Sequence, residues 1–195
     1  KNNKPITLYE PISRAYYKLW EILCKLNIID HKKRKYVYCA LAEGPGGFVE
    51  CFVNYRKKHF QGKEDTIYCI TLQTKNNKKK NIPDWHKIKE FLKTKRNQIT
   101  ILKGADNTGN LYKVENIQYL IDTIKDKCDF VTGDGGFDYS KDFNKQEQFS
   151  YHLIFCEIVS AFAILKKGGI FILKIFEIHT MLTLEFLFLL NNYFE

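Results

Sequence analysis

The sequence predicts an α/β fold built on a mostly parallel, doubly wound sheet. Apolar segments rich in β-branched and aromatic residues alternate with segments of helical periodicity along the 195 residues, which is the pattern of repeated strand–helix–strand units. Glycine clusters directly follow two of the apolar segments, as expected where a strand turns into a helix. Because neither a repeat nor a linker interrupts this alternation, we expect one domain over residues 1–195.

The first half of the chain is predicted to hold three strands and three helices. Ser13 is expected to cap the first helix, over about 14–26, in which apolar side chains recur on one face. That face consists of Tyr16, Leu19, Ile22, Leu23 and Leu26. The other predicted elements are strands at 36–41, 66–72 and 98–102, a helix at 47–58 with Phe48, Cys51 and Phe52 inward, a mobile lysine-rich loop at 73–83 and a helix at 85–95.

The second half continues the alternation after a turn-rich loop at 104–109. Its elements are predicted as a helix at 114–126, a strand at 129–132, the longest helix at 145–166, a strand at 170–176 and a helix from 180. The inward face of the longest helix is predicted to be Phe149, Leu153, Cys156, Val159, Phe162 and Ala163. Lys167-Gly168-Gly169 would end that helix.

The charge of the chain indicates an anionic partner. The formal net charge is +9, and a basic surface attracts polyanions such as nucleic acid. A solvated, lysine-rich face is the alternative interpretation. The positive residues form four clusters, which are Lys32, Lys33, Arg34 and Lys35; Arg56, Lys57 and Lys58; Lys75, Lys78, Lys79 and Lys80; and Lys93, Lys95 and Arg96.

Cysteine usage and hydropathy argue for a reduced protein outside the membrane. The six cysteines form no CxxC pair, and most lie in apolar runs, so we expect buried thiols and no metal site. The apolar run over 170–190 contains Lys174, Glu177, His179 and Glu185, which argue against a membrane span. We therefore expect an intracellular protein without a secretion signal.

The segment from Ala42 to Phe48 is a candidate ligand loop. It reads Ala-Glu-Gly-Pro-Gly-Gly-Phe and follows the first predicted strand, the usual ligand position in an open α/β sheet. Its spacing differs from that of the G-x-G-x-x-G fingerprint of nicotinamide-dependent dehydrogenases, and no Lys-Ser or Lys-Thr pair makes it a phosphate-binding loop. A plain strand-to-helix turn is the alternative.

One acid and one lysine stand at unusual positions. Asp134 follows the fourth predicted strand and precedes two glycines, where it can also be a simple turn former. Lys174 interrupts a strand that we expect to be buried on both faces. A buried lysine needs a charged partner or must be neutral, unless its tip reaches solvent at the end of the sheet.

With these motifs in view, the chain resembles the FtsJ-like RNA ribose 2′-O-methyltransferases. The match is most similar to the Adrift-type branch, which holds metazoan mRNA cap enzymes and copies in large DNA viruses. It covers nearly the whole chain in order. The matching segments are Ser13–Leu19, Ala42–Phe48, Ile70–Leu72, Gly104–Gly109, Asp134–Phe137 and Gly169–Phe176.

The resemblance implies a Rossmann-like methyltransferase fold with S-adenosyl-L-methionine as cofactor and no metal. It implies that Lys18, Asp134 and Lys174 are catalytic, as three members of a Lys-Asp-Lys-Glu tetrad. The glutamate and the last strands of the sheet would lie beyond residue 195, which would leave apolar surface exposed on the fifth strand or the final helix. The implied cofactor-binding residues are Ala42, Glu43, Gly44, Pro45, Gly46, Gly47, Phe48, Thr71, Leu72, Asp106, Asn107 and Asp134.

The implied activity is methyl transfer to the 2′-hydroxyl of cap-adjacent nucleotides in mRNA. RNA is the expected partner, with a further subunit or a missing C-terminal segment covering the sheet edge, and the cytoplasm, a virus factory or virion, or the nucleus as the location. Three alternatives stay open: a ribosomal or transfer RNA 2′-O-methyltransferase, a degenerate module that binds RNA or cofactor without catalysis, and a dehydrogenase on a similar sheet.

Overall fold

The computed structural model describes residues 9–60, 64–73, 85, 88–95, 98–125, 127–136 and 142–194. Helices and strands alternate along these residues as the sequence predicts. The helices are α1 (Ala15–Leu26), α2 (Gly47–Phe60), α3 (Lys89–Thr94), α4 (Val114–Thr123), α5 (Gln146–Ile164) and α6 (Met181–Tyr193), and the strands are β1 (Val37–Leu41), β2 (Thr66–Ile70), β3 (Ile99–Leu102), β4 (Cys128–Gly133) and β5 (Leu165–Leu173).

The five strands form one parallel sheet in the order β3-β2-β1-β4-β5. The chain runs outward from β1 to β3 on one side and from β4 to β5 on the other, so the order reverses between β1 and β4. Leu41 of β1 lies beside Gly133 of β4 at this point. In open sheets of this kind, ligands bind in the crevice at the carboxyl ends of the strands beside such a reversal. The predicted doubly wound parallel sheet is confirmed.

The sheet has an apolar core on each face. On one face, Leu19, Leu23 and Phe52 of α1 and α2 are fully buried against the strands, in a cluster that includes Tyr38 and Phe130. The other face packs against α4 and α5 through a cluster that holds Leu120, Val131 and Ile164. The predicted inward side chains of α2, Phe48, Cys51 and Phe52, are all buried.

The boundaries and contacts of the first helices differ from the prediction. The Ser13 hydroxyl does not cap α1, since the N-cap residue is Arg14 and makes no side-chain cap bond. Leu26, predicted on the buried face, is 65% exposed because it lies at the end of α1. Helix α3 is shorter than predicted and begins at Lys89. The loop predicted at 73–83 lies almost wholly outside the described residues.

The predicted inward face of α5 is wrong in part. Phe149 is 59% exposed and Val159 is also exposed, whereas Ser150, Ile154 and Glu157 are buried. The apolar residues of α5 surround the helix, so their spacing alone could select more than one face. The observed face buries four polar side chains, which are Glu147, Ser150, Glu157 and Ser160.

Strand β5 is longer and less buried than predicted. Helix α5 ends at Ile164 and not at residue 166, and Lys167-Gly168-Gly169, predicted to end the helix, belong to the strand. The strand ends at Leu173, so Lys174, predicted inside the strand, follows it. Every residue of β5 is half-buried or exposed, because this strand lies at an edge of the described sheet. Helix α6 follows with exposed apolar side chains, including Met181, Leu184 and Phe188.

The basic clusters and the cysteines are confirmed only in part. Arg56 is fully buried in an ion pair with Asp65, at 2.8 Å between Nε and Oδ2, so it is not part of a basic surface. Lys33 forms an ion pair with Asp129. Five of the cysteines are buried as expected, but Cys24 is exposed.

Over the described residues, none of the helices combines the length and the apolar composition that a bilayer crossing requires.

Candidate active site

The carboxyl ends of the strands place the predicted ligand loop beside the predicted acid. The Glu43 amide donates to the Ile70 carbonyl at 3.2 Å, which fixes the start of the loop to the end of β2. The Gly44 amide donates to Thr71 Oγ1 at 3.1 Å. On the other side, the Asp134 amide lies 3.4 Å from the Leu41 carbonyl at the end of β1. The segments around 42, 71 and 134 therefore meet at the reversal of strand order.

The loop glycines are required by close packing within the protein. Gly46 has a φ of +108°, and a Cβ there would lie 2.5 Å from Ile88 Cδ1. A Cβ on Gly47 would lie 2.1 Å from Ser13 Oγ, at the start of α1. The loop is thus held between α1 and the segment before α3. Close packing against α1 and Ile88 is therefore one reason for glycine at these two positions.

Glu43 is a buried carboxyl at the centre of the loop. Its Oε1 accepts the amides of Phe48 and Val49 at 2.7 and 3.3 Å, which caps the N-terminus of α2. Its buried Oε2 has no hydrogen-bond partner in the described part of the chain. Burial, with the charge of Asp134 adding to it, raises the pKa of Glu43 well above its usual range, so the group favours its neutral form.

The turn-rich loop over 104–109, which includes the implied cofactor residues Asp106 and Asn107, packs directly against the end of β2. Gly109 has a φ of +63°, and a Cβ there would lie 2.0 Å from the Thr71 carbonyl oxygen. The Gln73 amide donates to the Thr108 carbonyl at 2.6 Å. The structure therefore brings the loop over 104–109 together with Thr71 and Leu72, as the resemblance implies.

Asp106 is engaged within its own loop. Its Oδ1 accepts the Thr108 amide at 2.9 Å and the Asn116 side-chain amide at 2.9 Å, and its Oδ2 lies 2.7 Å from Lys113 Nζ. The bond to Lys113 and those to Thr108 and Asn116 lower the pKa of this carboxyl. The neighbouring Asn107 is exposed with a φ of +62°. Asp106 thus shapes the loop, and Asn107 is the residue of the pair that faces outward.

Lys174 and Asp134 form the central contact of the site. Lys174 Nζ lies 2.8 Å from Asp134 Oδ1 and donates to the Asp134 carbonyl oxygen at 2.8 Å. The Lys174 amide donates to the Gly133 carbonyl at 2.8 Å, so the lysine is anchored directly after β5. A Cβ on Gly136 would lie 3.3 Å from Lys174 Nζ, and the ring centroid of Phe176 is 5.2 Å from that atom. Phe137 of the same motif lies outside the described residues.

Lys18, the other predicted catalytic lysine, is not part of this contact. It lies in α1 with an exposed side chain. Both Lys18 and Asp134 belong to the described residues, and neither an ion pair nor a hydrogen bond joins them. The structure therefore joins two of the three predicted catalytic side chains and leaves the third on the helix surface.

Glu157 is a residue of this site that the sequence interpretation missed. It is fully buried on α5, and its Oε1 accepts the Gly135 amide at 3.0 Å, one residue after Asp134. Burial raises the pKa of Glu157 to about 8, and the charges of Lys174 and Asp134 act on it. A signal was present, because Glu157 is the one charged residue in the apolar stretch over 153–165.

Three carboxyl groups and one ammonium group interact electrostatically at this site. Asp134 binds Lys174 directly, and the charges of both act on Glu43 and Glu157. A cation bound at the carboxyl ends of β1 and β4 would favour the ionised forms of Glu43 and Glu157, whose burial favours the neutral forms when no cation is near. Among the described residues, His, Cys, Asp and Glu side chains form no group of three that could hold a metal ion.

Comparison with known proteins relates the whole site to one family. The family model described as FtsJ-like methyltransferase matches residues 11–195. A cap-specific mRNA (nucleoside-2'-O-)-methyltransferase 2 from Drosophila melanogaster is 26% identical over 97% of this chain and 27% of its own length. A cap-specific mRNA (nucleoside-2'-O-)-methyltransferase 1 from Homo sapiens is 30% identical over 86% of this chain and 20% of its own length.

The fold also recurs in a solved structure. A putative ribosomal RNA methyltransferase from Plasmodium falciparum superposes with a TM-score of 0.57, at 18% identity, over 92% of this chain and 85% of that one. This likeness supports the Rossmann-like methyltransferase fold. The chain spans between a quarter and a half of the length of the first three curated relatives it matches.

Proposed function

The chain belongs to the FtsJ-like methyltransferase family, and from that premise we propose that it transfers a methyl group to ribose 2′-hydroxyls of cap-adjacent nucleotides in mRNA. The observation that carries the proposal is the 2.8 Å contact between Lys174 and Asp134 beside the glycine loop. The names of the Drosophila and human relatives support the cap as substrate. The family is S-adenosylmethionine-dependent, which makes this compound the cofactor.

The residues at the strand ends fit a cofactor with a sulfonium cation. Glu43 has a buried carboxyl oxygen without a partner among the described residues, and a cation bound beside it would favour its ionised form. Asp134 lies close enough for its charge to act on Glu43. The cofactor would be held by the loop from Ala42 to Phe48, by Thr71 and Leu72, by Asn107 in the loop shaped by Asp106, and by Asp134. When bound, S-adenosylmethionine supplies an electrophilic methyl group.

The remaining chemistry belongs to three side chains of this chain. Lys174 is the proposed general base, or the group that orients the 2′-hydroxyl, because its position is fixed by the backbone and by Asp134. Asp134 holds Lys174 in place. Lys18 would stabilise the developing oxyanion once RNA lies between α1 and the strand ends. That role requires its exposed side chain to reach the acceptor nucleotide.

The exposed lysines provide a surface for the RNA backbone. Lys32, Lys35, Lys57 and Lys58 are exposed, whereas their neighbour Arg56 is buried. Lys58 Nζ lies 5.4 Å from the ring centroid of Trp20. Phosphate contacts by these lysines would position the RNA without reading its sequence.

Mass spectrometry of the RNA product tests the function. Capped RNA and uncapped ribosomal or transfer RNA are incubated with the full-length protein and S-adenosylmethionine carrying a deuterated methyl group, and the labelled nucleotides are located. We expect label on the 2′-oxygen of a cap-adjacent nucleotide. Label on a base, or on uncapped RNA alone, would contradict the proposal. Cofactor binding without any label would instead support a non-catalytic module.

The viral branch, the cellular compartment and a partner covering the edge of the sheet stay predictions. The expected fourth catalytic residue, a glutamate, also stays a prediction. The exposed apolar side chains of α6, among them Met181 and Phe188, support a covering segment or subunit.

A further inference from the structure

Glu157 has an unusual combination of burial and incomplete bonding. Its carboxyl is fully buried, and only one of its two oxygens has a hydrogen-bond partner among the described residues. A buried polar atom without a partner costs free energy, so such a group is retained where it has a further role.

The backbone around the catalytic acid is fitted to this carboxyl. A Cβ on Gly135 would lie 2.7 Å from Glu157 Oε1, and a Cβ on Gly133 would lie 3.0 Å from Glu157 Cδ. The two glycines on either side of Asp134 therefore leave the space that the carboxyl occupies. A side chain at either position would displace the carboxyl or move the loop.

The orientation of the peptide group between Asp134 and Gly135 depends on this fit. The Asp134 amide has a long contact with Leu41 at 3.4 Å, whereas the next amide, that of Gly135, donates to Glu157 at 3.0 Å. The Asp134 carbonyl and carboxylate oxygens both hold Lys174 Nζ. Rotation of the peptide after Asp134 would thus break the Glu157 bond and one of the two lysine contacts together.

We propose that Glu157 is a positioning residue for methyl transfer, whose buried carboxyl fixes the backbone at Gly135 and thereby the way in which Asp134 holds Lys174. This inference rests on the proposed function. Glu157 acts through Asp134 and Lys174 and does not touch the substrate. Its role would explain why α5 buries an acid in an otherwise apolar stretch.

The role has a consequence for the pH dependence of the reaction. Charges of Asp134, on the loop after β4, and of Lys174, after β5, act on the carboxyl, and Cys156 is its titratable neighbour on α5. With a pKa of about 8, Glu157 is neutral at pH 7 and ionises above pH 8. The anion would add a negative charge next to the contact between Asp134 and Lys174. The kcat of the wild type should therefore rise less steeply above pH 8 than that of a variant without this charge.

Two variants and one control test the proposal. Glu157→Gln keeps an oxygen that accepts the Gly135 amide, whereas Glu157→Ala leaves this amide without its acceptor. Ser160→Ala is the control, since Ser160 is buried on the same helix and donates to the Cys156 carbonyl away from the acid loop. We expect kcat to fall on the order of 10- to 100-fold in Glu157→Ala and by less than about fivefold in Glu157→Gln, because small displacements of catalytic groups are costly. The KM for the cofactor should change little.

The readouts separate a positioning role from a structural one. In nuclear magnetic resonance spectra, the chemical shifts of the Gly135 amide and of the Lys174 side chain should change in Glu157→Ala. Both should stay unchanged in Ser160→Ala. A Glu157→Ala protein with wild-type kcat, a Glu157→Gln protein as impaired as Glu157→Ala, or an unmoved Gly135 resonance would overturn the proposal.

If Glu157→Ala does not fold, the pH profile of kcat decides, and a Glu157→Gln profile identical to the wild type above pH 8 would overturn the proposal. If the wild type transfers no methyl group, the proposed function fails, and the resonance measurements still decide the role of Glu157.

Discussion

The two lysines that the sequence predicts to be catalytic lie in contrasting surroundings. Lys174 stands after a strand and is held by a carboxylate, two backbone bonds and a glycine packed against its ammonium group. Lys18 lies on the surface of α1 and has no bond to Asp134. The half of the proposed centre that contains Lys174 and Asp134 is thus preorganised. The half that contains Lys18 depends on bound RNA to bring the acceptor nucleotide to this lysine. The following predictions test this difference.

Among the variants that keep Lys174, the largest effect is expected for Asp134→Asn. The amide keeps the size of the side chain but cannot form an ion pair with Lys174, so the ammonium loses its electrostatic partner. The rate of methyl transfer at saturating substrates should fall on the order of 10²- to 10³-fold. Steady-state kinetics with a melting curve for each protein measures this, and a loss below tenfold would mean that the ion pair has no catalytic importance.

A smaller effect is expected for Lys18→Ala. Its exposed side chain makes no contact with the acid, so the free energy of unfolding should change by less than about 0.5 kcal/mol. The rate should nevertheless fall on the order of 10-fold to 10²-fold, because an oxyanion donor is lost. Urea unfolding and single-turnover kinetics test the two parts. An unchanged rate would remove Lys18 from the catalytic residues while leaving Lys174 in place.

Glu43→Gln should show a stability effect that depends on pH. Burial raises the pKa of Glu43 above the value of 4.5 that it has when unfolded. Between that value and its folded pKa, the unfolded state binds fewer protons than the folded state, so wild-type stability falls as the pH rises. The glutamine variant lacks this loss and should gain relative stability from pH 5 to pH 8. Urea unfolding at both pH values tests this, with Glu10→Gln, at an exposed position, as the control. Equal differences at the two pH values would contradict it.

The smallest effect is expected at the RNA surface. Lys57 is exposed while Arg56, beside it, is buried, so Lys57→Ala should keep the fold and weaken RNA binding. The slope of log affinity against log salt should decrease by about 1. Fluorescence anisotropy at several salt concentrations measures this slope. A slope equal to that of the wild type would exclude Lys57 from the phosphate contacts.

The sequence predicted those parts of the molecule that local patterns specify. Apolar segments with turns between them located the five strands, and a lysine after an apolar run together with an acid before two glycines located the pair of Lys174 and Asp134. These features could be found because an ionisable residue at the end of a buried strand needs a partner.

The predictions that were wrong concern side chains whose burial depends on packing between distant segments. Helix α5 has apolar residues all around, so its spacing could not show that Glu157 is buried and that Phe149 is exposed. The sequence places Arg56 in a basic cluster with Lys57 and Lys58. Only the fold shows that Arg56 is buried in an ion pair with Asp65. Burial of a polar group is decided by which partner it meets, and a single sequence does not contain that information.

The most direct test of the central claim is the single-turnover rate of methyl transfer by Lys174→Ala at saturating S-adenosylmethionine. Lys167→Ala, an exposed lysine of β5, is the matched control. The account predicts that the rate falls on the order of 10²- to 10⁴-fold in Lys174→Ala, with cofactor affinity nearly unchanged, and stays at the wild-type level in Lys167→Ala. Wild-type methyl transfer by a folded Lys174→Ala protein would contradict the claim that the contact between Lys174 and Asp134 is the catalytic centre.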